Sequence, residues 1–335
     1  MPDVLTAAER PAAGVRTVRG CGIAGLGGAL PERRMPNTAI GGRLGVEPQW
    51  IAQRTGVEER RYLSPGETLT QLATAAGADA LASAGVEGAD LDLVLVSTCT
   101  SDQLLPHTSS LVAGELGAVR AGAMDIGAAC MGFLSAVALG ASYVETARAD
   151  RVLVIGADQF SRFIDPDDRQ TVSVLGDGAG AVLLAPATGS THIGPFVMRA
   201  DHAGAELVYM TRERPKLHMD GPETFKWAVA VLAEATDQAI EAAGLERDDI
   251  DLFVYHQANG RVLRSVGQKL GLPADRVVNC IAGTGNTSSA SIPLALGVAY
   301  REERLEPGSR ILVSAIGAGF VWGAGVIEWR PDEIV

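Results

Sequence analysis

Three absences in the sequence narrow the class of protein before any motif is considered. The 335 residues include four cysteines and no CxxC pair, which argues against a metal centre and against a disulfide framework. No segment runs to about 18 apolar residues without a polar interruption, so we predict no membrane span. Residues 1–20 lack the apolar stretch of a secretory signal. We therefore expect a cytoplasmic protein.

Positive charge is also scarce. Lysine and arginine together number 28 against 40 acidic residues, and the net charge is −12. A surface of this sign argues against nucleic acid as the main partner. Apolar residues, in contrast, make up 47% of the chain, and its 40 glycines indicate many tight turns in a globular protein. The length suits one large domain or two of ordinary size.

Two segments of the chain recur at the same offset. Residues 84–97 resemble residues 243–256, and residues 151–157 resemble residues 310–316, each pair 159 positions apart. Each copy predicts a helix end, a glycine stop, an acidic turn and a short apolar strand without alternation. Such strands are buried on both faces, so helices must cover both sides of a sheet. We therefore predict two α/β halves, residues 19–187 and 190–329.

The repeat relates polar residues that are far apart in the sequence. In α/β folds, ligands favour the carboxyl ends of the strands, where equivalent turns of two halves can converge on one site. Cys130 follows the first repeated strand by about the same distance as Asn286 follows the second, and His256 stands at the end of that second strand. We therefore expect Cys130, His256 and Asn286 to lie close together.

Cys130 itself lies between a run of small residues and a long apolar segment that predicts a helix. Free amides and the helix dipole at a helix N-terminus favour a thiolate, so this position predicts a lowered pKa and a nucleophile. A buried structural cysteine is the alternative.

A glycine pattern near the N-terminus could suggest a different cofactor. GCGIAG at 20–25 fits the dinucleotide fingerprint GxGxxG, but the residues up to Pro31 cannot begin the helix that the fingerprint requires. We therefore expect no nicotinamide cofactor.

Six motifs, taken together and in order, resemble the β-ketoacyl-acyl carrier protein synthase III family of condensing enzymes. They are WIAQRTG (50–56), AACMGF (128–133), GDGAGA (176–181), HQAN (256–259), GNTSS (285–289) and GAGFVWG (317–323). The resemblance runs over nearly the whole chain. It implies the thiolase fold, with two pseudo-twofold α/β halves in an α-β-α-β-α layered architecture, and a homodimer.

The resemblance also implies a reaction. Such an enzyme is an acyltransferase that loads an acyl group from acyl-CoA onto its cysteine. It then condenses that group with malonyl-acyl carrier protein, with loss of carbon dioxide, to prime fatty acid or polyketide synthesis. Cysteine suits the loading step because a thiolate is a strong nucleophile and the thioester stays activated. Coenzyme A thioester is a substrate here, and no permanently bound cofactor or metal is implied.

Each catalytic position carries over from the family motifs. His256 and Asn286 match the side chains that stabilise the enolate left by decarboxylation. The backbone amides of Cys130 and Ala318 match the donors to the acyl oxyanion.

Further positions carry over as binding residues. Those for the nucleotide and pantetheine of coenzyme A are Trp50, Arg54, Arg169 and Asn259. Those for docking an acidic acyl carrier protein are Lys226, Arg261, Arg264 and Lys269. Core packing for the tryptophan and solvated charge for the basic residues are the alternatives.

Four positions depart from the pattern of the housekeeping enzymes. Leu105 replaces a phenylalanine that closes the acyl pocket across the dimer, and Ile316 replaces an aromatic residue near the cysteine. Pro222 and Val46 replace a polar and a small hydroxyl residue. These changes predict a differently shaped acyl pocket, argue against an acetyl starter and favour a specialised polyketide or lipid pathway.

Two other functions compete with condensation. An acyltransferase of the same fold would pass the acyl group from Cys130 to a hydroxyl, an amine or a carrier thiol without decarboxylation. Asn286 favours condensation, because simple transfer forms no enolate to stabilise. A non-catalytic partner subunit is the other competing function, and the intact Cys130 argues against it.

Overall fold

The computed structural model describes residues 19–335, and the predicted absence of a secretory signal concerns a segment that lies mostly outside them. The first part of the chain contains seven strands and six helices within the described residues. In order they are β1 (Gly20–Ala29), β2 (Arg34–Pro36), α1 (Asn37–Leu44), α2 (Pro48–Thr55), β3 (Glu59–Arg61), α3 (Leu69–Ala84), β4 (Leu93–Ser97), α4 (Thr108–Glu115), β5 (Gly122–Ile126), α5 (Gly132–Glu145), β6 (Val152–Gln159), α6 (Arg169–Val172) and β7 (Asp177–Ala187).

The second part of the chain, also fully described, follows a similar alternation. Its elements are β8 (Ile193–Ala200), β9 (Val208–Tyr209), β10 (His218–Met219), α7 (Gly221–Ala242), β11 (Leu252–Tyr255), α8 (Gly260–Leu270), α9 (Ile281–Thr284), α10 (Ser291–Arg301), β12 (Arg310–Gly317) and β13 (Val321–Glu328).

Two sheets form the frame of the molecule. The first has the order β1-β7-β6-β4-β5, in which β4 runs parallel to both of its neighbours and β7 runs antiparallel to both of its own. The second has the order β11-β12-β13-β8, in which only β11 and β12 are parallel. Every residue of β4, β6 and β11 is buried, which explains why each strand begins with an unbroken run of apolar residues.

Helices cover both faces of each sheet. α3 and α4 pack on the outer face of the first sheet, and α7, with α8 against it, packs on the outer face of the second. α5 and α10 lie between the sheets and contact strands of both. Side chains of the two sheets and these two helices form one continuous core. The order of layers is α-β-α-β-α, as predicted, because an apolar sheet must be covered on both faces.

The repeated segments fold alike. α3 and α7 are each followed closely by a glycine in the left-handed conformation, Gly85 (φ 65°) and Gly244 (φ 67°). Each glycine leads through a short 3-10 turn into a buried strand, β4 or β11. Glycine adopts this conformation without the steric cost of a Cβ atom, so it ends the helix and reverses the chain.

Two expectations about the rest of the chain can be compared with the structure. The GCGIAG segment lies inside β1, which continues to Ala29, so no helix follows these glycines and the dinucleotide fingerprint is absent. In residues 19–335, no helix is long and apolar enough to cross a membrane.

Candidate active site

One deep cavity of about 900 Å³ opens where the two halves of the molecule meet. Cys130, His256 and Asn286 all line it, so the structure brings together three residues that are up to 156 positions apart in the sequence. The cavity also reaches residues of α2, the β9–β10 segment and the first turns of α7 and α8. It therefore connects a buried end, at the cysteine, with the surface.

Cys130 lies in a single 3-10 turn, Ala129–Met131, that leads directly into α5. Ala129 has a left-handed backbone (φ 47°), an uncommon conformation for a residue with a Cβ atom. The end of β12 packs tightly against this turn, because a Cβ atom at Gly317 would stand 2.7 Å from the Ala128 carbonyl oxygen and 3.0 Å from the Cys130 nitrogen. A glycine is required at 317 for this close approach.

The predicted lowering of the Cys130 pKa is wrong. Burial, together with the nearby Asp158 carboxylate, raises the pKa of this thiol to about 12. A hydrogen bond from Ser288 and the backbone amide of Cys130 itself lower it, but they do not offset the loss of solvation. The thiol is therefore protonated at neutral pH, and a base must take its proton before it can attack.

His256 lines the same cavity as this thiol. It follows β11, is 2% exposed, and donates its backbone N–H to Ser314 O at 2.8 Å. Burial lowers the pKa of its imidazole to about 4, so the ring is neutral at pH 7. Its Nδ1 lies 2.6 Å from Ser291 Oγ, which leaves Nε2 without a hydrogen bond to any described residue. Because a hydroxyl can donate or accept, Ser291 can support either tautomer of the ring.

Asn286 is fixed by contacts from both halves. Its backbone N–H donates to Val174 O at 2.8 Å, and its carbonyl oxygen accepts from Gly176 N at 2.9 Å. Its side-chain Oδ1 accepts from Ser288 N at 2.8 Å, and its Nδ2 donates to Ala258 O at 3.2 Å. One proton of the Nδ2 group remains free to donate to a ligand.

The predicted coenzyme A residues lie around the same cavity. Trp50, Arg54, Arg169 and Asn259 all line it. The Arg54 guanidinium lies 4.6 Å from the centre of the Trp50 ring, and both arginines are exposed. Asn259 caps α8, with its Oδ1 accepting from Arg261 N at 2.8 Å.

The four predicted docking residues divide into two pairs. Lys226 and Arg261 line the cavity, and the Arg261 guanidinium lies 5.5 Å from the Phe225 ring centre. Lys226 forms an exposed ion pair with Glu223 at 2.6 Å, which reduces the free positive charge there. Arg264 and Lys269 are exposed farther along α8, away from the cavity, and neither pairs with an acid among residues 19–335.

Of the four positions that depart from the family pattern, two line the cavity and two do not. Ile316 and Pro222 line the cavity, and Ile316 is buried. Leu105 does not line it. Its side chain is 75% exposed, next to Leu104 at 68%, so it cannot close the pocket of its own subunit. Val46 is half-buried and also lies outside the lining of the cavity.

Sequence reasoning missed several polar residues of this site. Ser288 Oγ donates to Cys130 Sγ at 3.3 Å, and Ser291 holds His256. The fully buried Asp158 accepts hydrogen bonds from both halves, and the Cys99 side chain lies inside the cavity. Ser288 belongs to the GNTSS motif, so the sequence indicated that it lies near the site but did not indicate its contact with Cys130. In residues 19–335 there is no cluster of three or more metal-ligating side chains.

A thiol, a neutral buried imidazole and an oriented amide around one cavity define an acyl-transferring enzyme of the thiolase fold. The chain matches the family model "3-Oxoacyl-[acyl-carrier-protein (ACP)] synthase III" over residues 124–202, and the model of its C-terminal part over residues 240–329.

Individual relatives agree with the family models. The chain is 42% identical over 320 residues to "Beta-ketoacyl-[acyl-carrier-protein] synthase III 2" of Streptomyces coelicolor, covering 94% of this chain and 96% of that protein. The structure is similar to the priming β-ketosynthase of the R1128 polyketide pathway, with TM-score 0.91, 36% identity, and coverage of 96% and 99%. It is also similar to the 3-oxoacyl-[acyl-carrier-protein] synthase III of Aquifex aeolicus, with TM-score 0.89, 36% identity, and coverage of 92% and 100%. The chain therefore belongs to the 3-oxoacyl-[acyl-carrier-protein] synthase III family of condensing acyltransferases.

Proposed function

We propose that Cys130, His256 and Asn286 carry out the decarboxylative condensation of an acyl-CoA with malonyl-acyl carrier protein, which primes fatty acid or polyketide synthesis. The observation that carries this proposal is the common cavity, in which a protonated thiol, a neutral imidazole and a free amide proton face the same space. The relatives bear names of condensing enzymes, and they give no support to simple acyl transfer without decarboxylation.

Acyl loading begins at the thiol. Neutral His256 accepts the proton of Cys130, and the sulfur attacks the carbonyl carbon of the acyl-CoA thioester. The negative oxygen of the tetrahedral intermediate is held by the backbone amides of Cys130 and Ala318, which the tight packing at Gly317 supports. The carbon–sulfur bond to coenzyme A then breaks, and its thiolate takes the proton from His256.

Condensation uses the same groups in a different way. The malonyl thioester loses carbon dioxide and leaves an enolate, whose oxygen is stabilised by His256 Nε2–H and Asn286 Nδ2–H. Each donor of this kind is worth about 10²–10³ in rate. The enolate carbon attacks the carbonyl carbon of the acyl thioester on Cys130, the carbon–sulfur bond breaks as the β-ketoacyl product forms, and the released thiolate takes up a proton from solvent.

Substrate binding follows from charge at the mouth of the cavity. Trp50, Arg54, Arg169 and Asn259 are suited to the nucleotide and pantetheine of coenzyme A, because a ring and two free guanidinium groups fit adenine and phosphate. An acidic acyl carrier protein would dock on the basic residues of α7 and α8, although the protein as a whole has a negative net charge. These residues are Lys226, Arg261, Arg264 and Lys269.

A homodimer accounts for two features of the surface. Leu104 and Leu105 are adjacent exposed leucines, and β5 is an edge strand of the first sheet with unpaired backbone groups. A second copy that covers both would place Leu105 near the partner's acyl pocket. We assign residues 19–187 and 190–329 as the two halves, since each sheet lies wholly within one of them. The protein would act in the cytoplasm without a resident cofactor.

The proposal is tested by following the acyl group and carbon dioxide separately. Mass spectrometry with a panel of acyl-CoAs should find acylation at Cys130, and malonyl-acyl carrier protein should then release one carbon dioxide per acyl group consumed. Asn286→Ala should lower condensation by about 10²–10³ while Cys130 is still acylated. Transfer of the acyl group to the carrier protein without carbon dioxide would reject condensation in favour of simple acyl transfer.

A further inference from the structure

Ser288 contacts the reacting sulfur although no family motif assigns it a role here. Its side chain is fully buried, and its hydroxyl donates to Cys130 Sγ at 3.3 Å. The residue comes from the second half of the chain, 158 positions from the cysteine. A hydroxyl placed in this way can stabilise negative charge on the sulfur. The hydrogen bond is therefore stronger to a thiolate than to a neutral thiol.

The contact depends on an uncommon backbone conformation. Ser288 has φ 53°, one of four non-glycine residues with positive φ in the described part of the chain. Such a conformation is unfavourable for a residue with a Cβ atom and persists only where the surroundings fix it. Another of the four is Ala129, directly before Cys130. Two unfavourable conformations therefore occur next to the same cysteine, one in the preceding residue and one in the residue that contacts its sulfur.

One residue makes two separable contacts. The backbone N–H of Ser288 donates to Asn286 Oδ1 and orients that amide, whereas its hydroxyl reaches Cys130 Sγ. Replacing the side chain removes the second contact and leaves the first. The role of the hydroxyl can therefore be tested without disturbing the enolate donor.

A buried carboxylate anchors the turn that carries Ser288. Asp158, at the end of β6, is fully buried and lies 2.8 Å from Ser289 Oγ and 3.2 Å from Ser289 N. It also accepts from Thr100 Oγ1 at 2.8 Å and from Cys99 N at 3.0 Å. These bonds join the first half to the residue next to Ser288, so the hydroxyl has little freedom to leave the sulfur.

The charge around Cys130 makes a neutral donor necessary. Burial and the Asp158 carboxylate both disfavour a thiolate, and no lysine or arginine among the described residues forms a hydrogen bond with Cys130 Sγ. The sulfur nevertheless carries negative charge twice, when it attacks the acyl-CoA and when it leaves the condensation product.

We propose that Ser288 is a further catalytic residue, whose hydroxyl donates a hydrogen bond to the Cys130 sulfur whenever that atom becomes a thiolate. The inference rests on the proposed role of Cys130 as nucleophile. The thiol proton still goes to His256, and the hydroxyl keeps its own proton throughout. Ser288 therefore stabilises the sulfur during acyl loading and when it leaves the condensation product, while His256 and Asn286 stabilise the enolate oxygen.

The test compares two variants that lack the hydroxyl with a matched control. Ser288→Ala keeps the backbone N–H, and Ser288→Gly also relieves the cost of the positive φ. Thr287→Val removes a neighbouring buried hydroxyl that has no hydrogen-bond partner among the described residues. The measurement is the rate of Cys130 alkylation by iodoacetamide between pH 6 and 10, with the modified site mapped by mass spectrometry.

A hydrogen bond to a charged group typically changes an equilibrium constant or a rate by a factor of about ten to a hundred. We therefore expect both Ser288 variants to react about ten- to a hundredfold more slowly than the parent at every pH from 6 to 10, where most of the thiol is still protonated, and Thr287→Val to match the parent. Acylation by acyl-CoA should slow in parallel.

Two outcomes would count against the interpretation in different ways. If Ser288→Gly or a folded Ser288→Ala reacts at the parent rate with an unchanged pH profile, the role of Ser288 is overturned and that of Cys130 stands. If acyl-CoA fails to label Cys130 in the parent protein, the proposed function itself fails.

Discussion

At the residue scale, the active site works with neutral groups because burial makes charge costly. Burial lowers the pKa of His256 to about 4 and raises that of Cys130 to about 12, so both are uncharged at pH 7. A neutral imidazole can accept a proton in one step and donate a hydrogen bond in the next. Ser291 permits this change, since its hydroxyl can donate to Nδ1 or accept from it.

The low pKa of His256 predicts a pH-dependent cost in stability. Between about pH 6.5 and pH 4 the unfolded chain protonates this residue and the folded chain does not, so acid favours unfolding over that range. We expect His256→Gln to lose less stability than the parent protein between pH 7.5 and 4.5, by about 3 kcal/mol. Urea unfolding at the two pH values measures the difference. Equal losses in the two proteins would contradict a neutral buried imidazole.

At the element scale, the position of Cys130, the proposed nucleophile, depends on the end of β12. Gly317 brings this strand against the turn that carries Cys130, and Ala318 follows with the second proposed oxyanion amide. The turn, the strand and the start of α5 therefore form a single packed unit. Its geometry is set by contacts between the two halves and not by the helix N-terminus alone.

A methyl group at Gly317 should displace this unit. Gly317→Ala places a Cβ atom 2.7 Å from the Ala128 carbonyl oxygen and 3.0 Å from the Cys130 nitrogen, and overpacking of this kind costs about 1–3 kcal/mol. We expect a lower melting temperature and slower acylation of Cys130 by acyl-CoA. Gly114→Ala is the matched control, because a Cβ atom there meets nothing within 4 Å. A Gly317→Ala protein that acylates as fast as the control would show that this packing does not position the sulfur.

At the scale of the whole molecule, an acidic protein presents local positive charge on α8, the helix whose first turn lines the cavity. The net charge is −12, yet Arg264 and Lys269 are exposed on α8 without an ion-pair partner in the described residues. An acidic carrier protein would be repelled by most of the surface and attracted there. Charge of this kind mainly raises the rate of association and weakens with salt.

Charge reversal at Arg264 should therefore affect the carrier protein and spare acyl loading. We expect Arg264→Glu to raise KM for malonyl-acyl carrier protein several-fold at low salt. Acylation of Cys130 by acyl-CoA should not change, because Arg264 lies outside the cavity. Arg148→Glu makes the same change in net charge on an exposed residue that does not line the cavity. An equal effect of both variants would indicate a general charge effect and no docking site.

Much of the fold can be predicted from the sequence, because the residues that determine its helices and strands are close together in the chain. The glycines after α3 and α7 and the apolar runs of β4 and β11 predict both repeated units, and the offset predicts that distant turns converge. The pKa of Cys130 does not follow, since desolvation depends on everything that packs around the turn. Nor does the contact of Ser288, which requires a positive φ that serine rarely adopts.

The two repeated halves contribute different groups to one cavity. A duplicated fold could keep two equivalent sites, but here Cys130 comes from the first copy, and His256 and Asn286 come from the second. α5 and α10 lie between the sheets and contact strands of both, so each belongs to the packing of both copies. We therefore expect a substitution beside the cavity in either copy to alter the shared site, whereas α3, which does not line the cavity, can vary within the limits of packing.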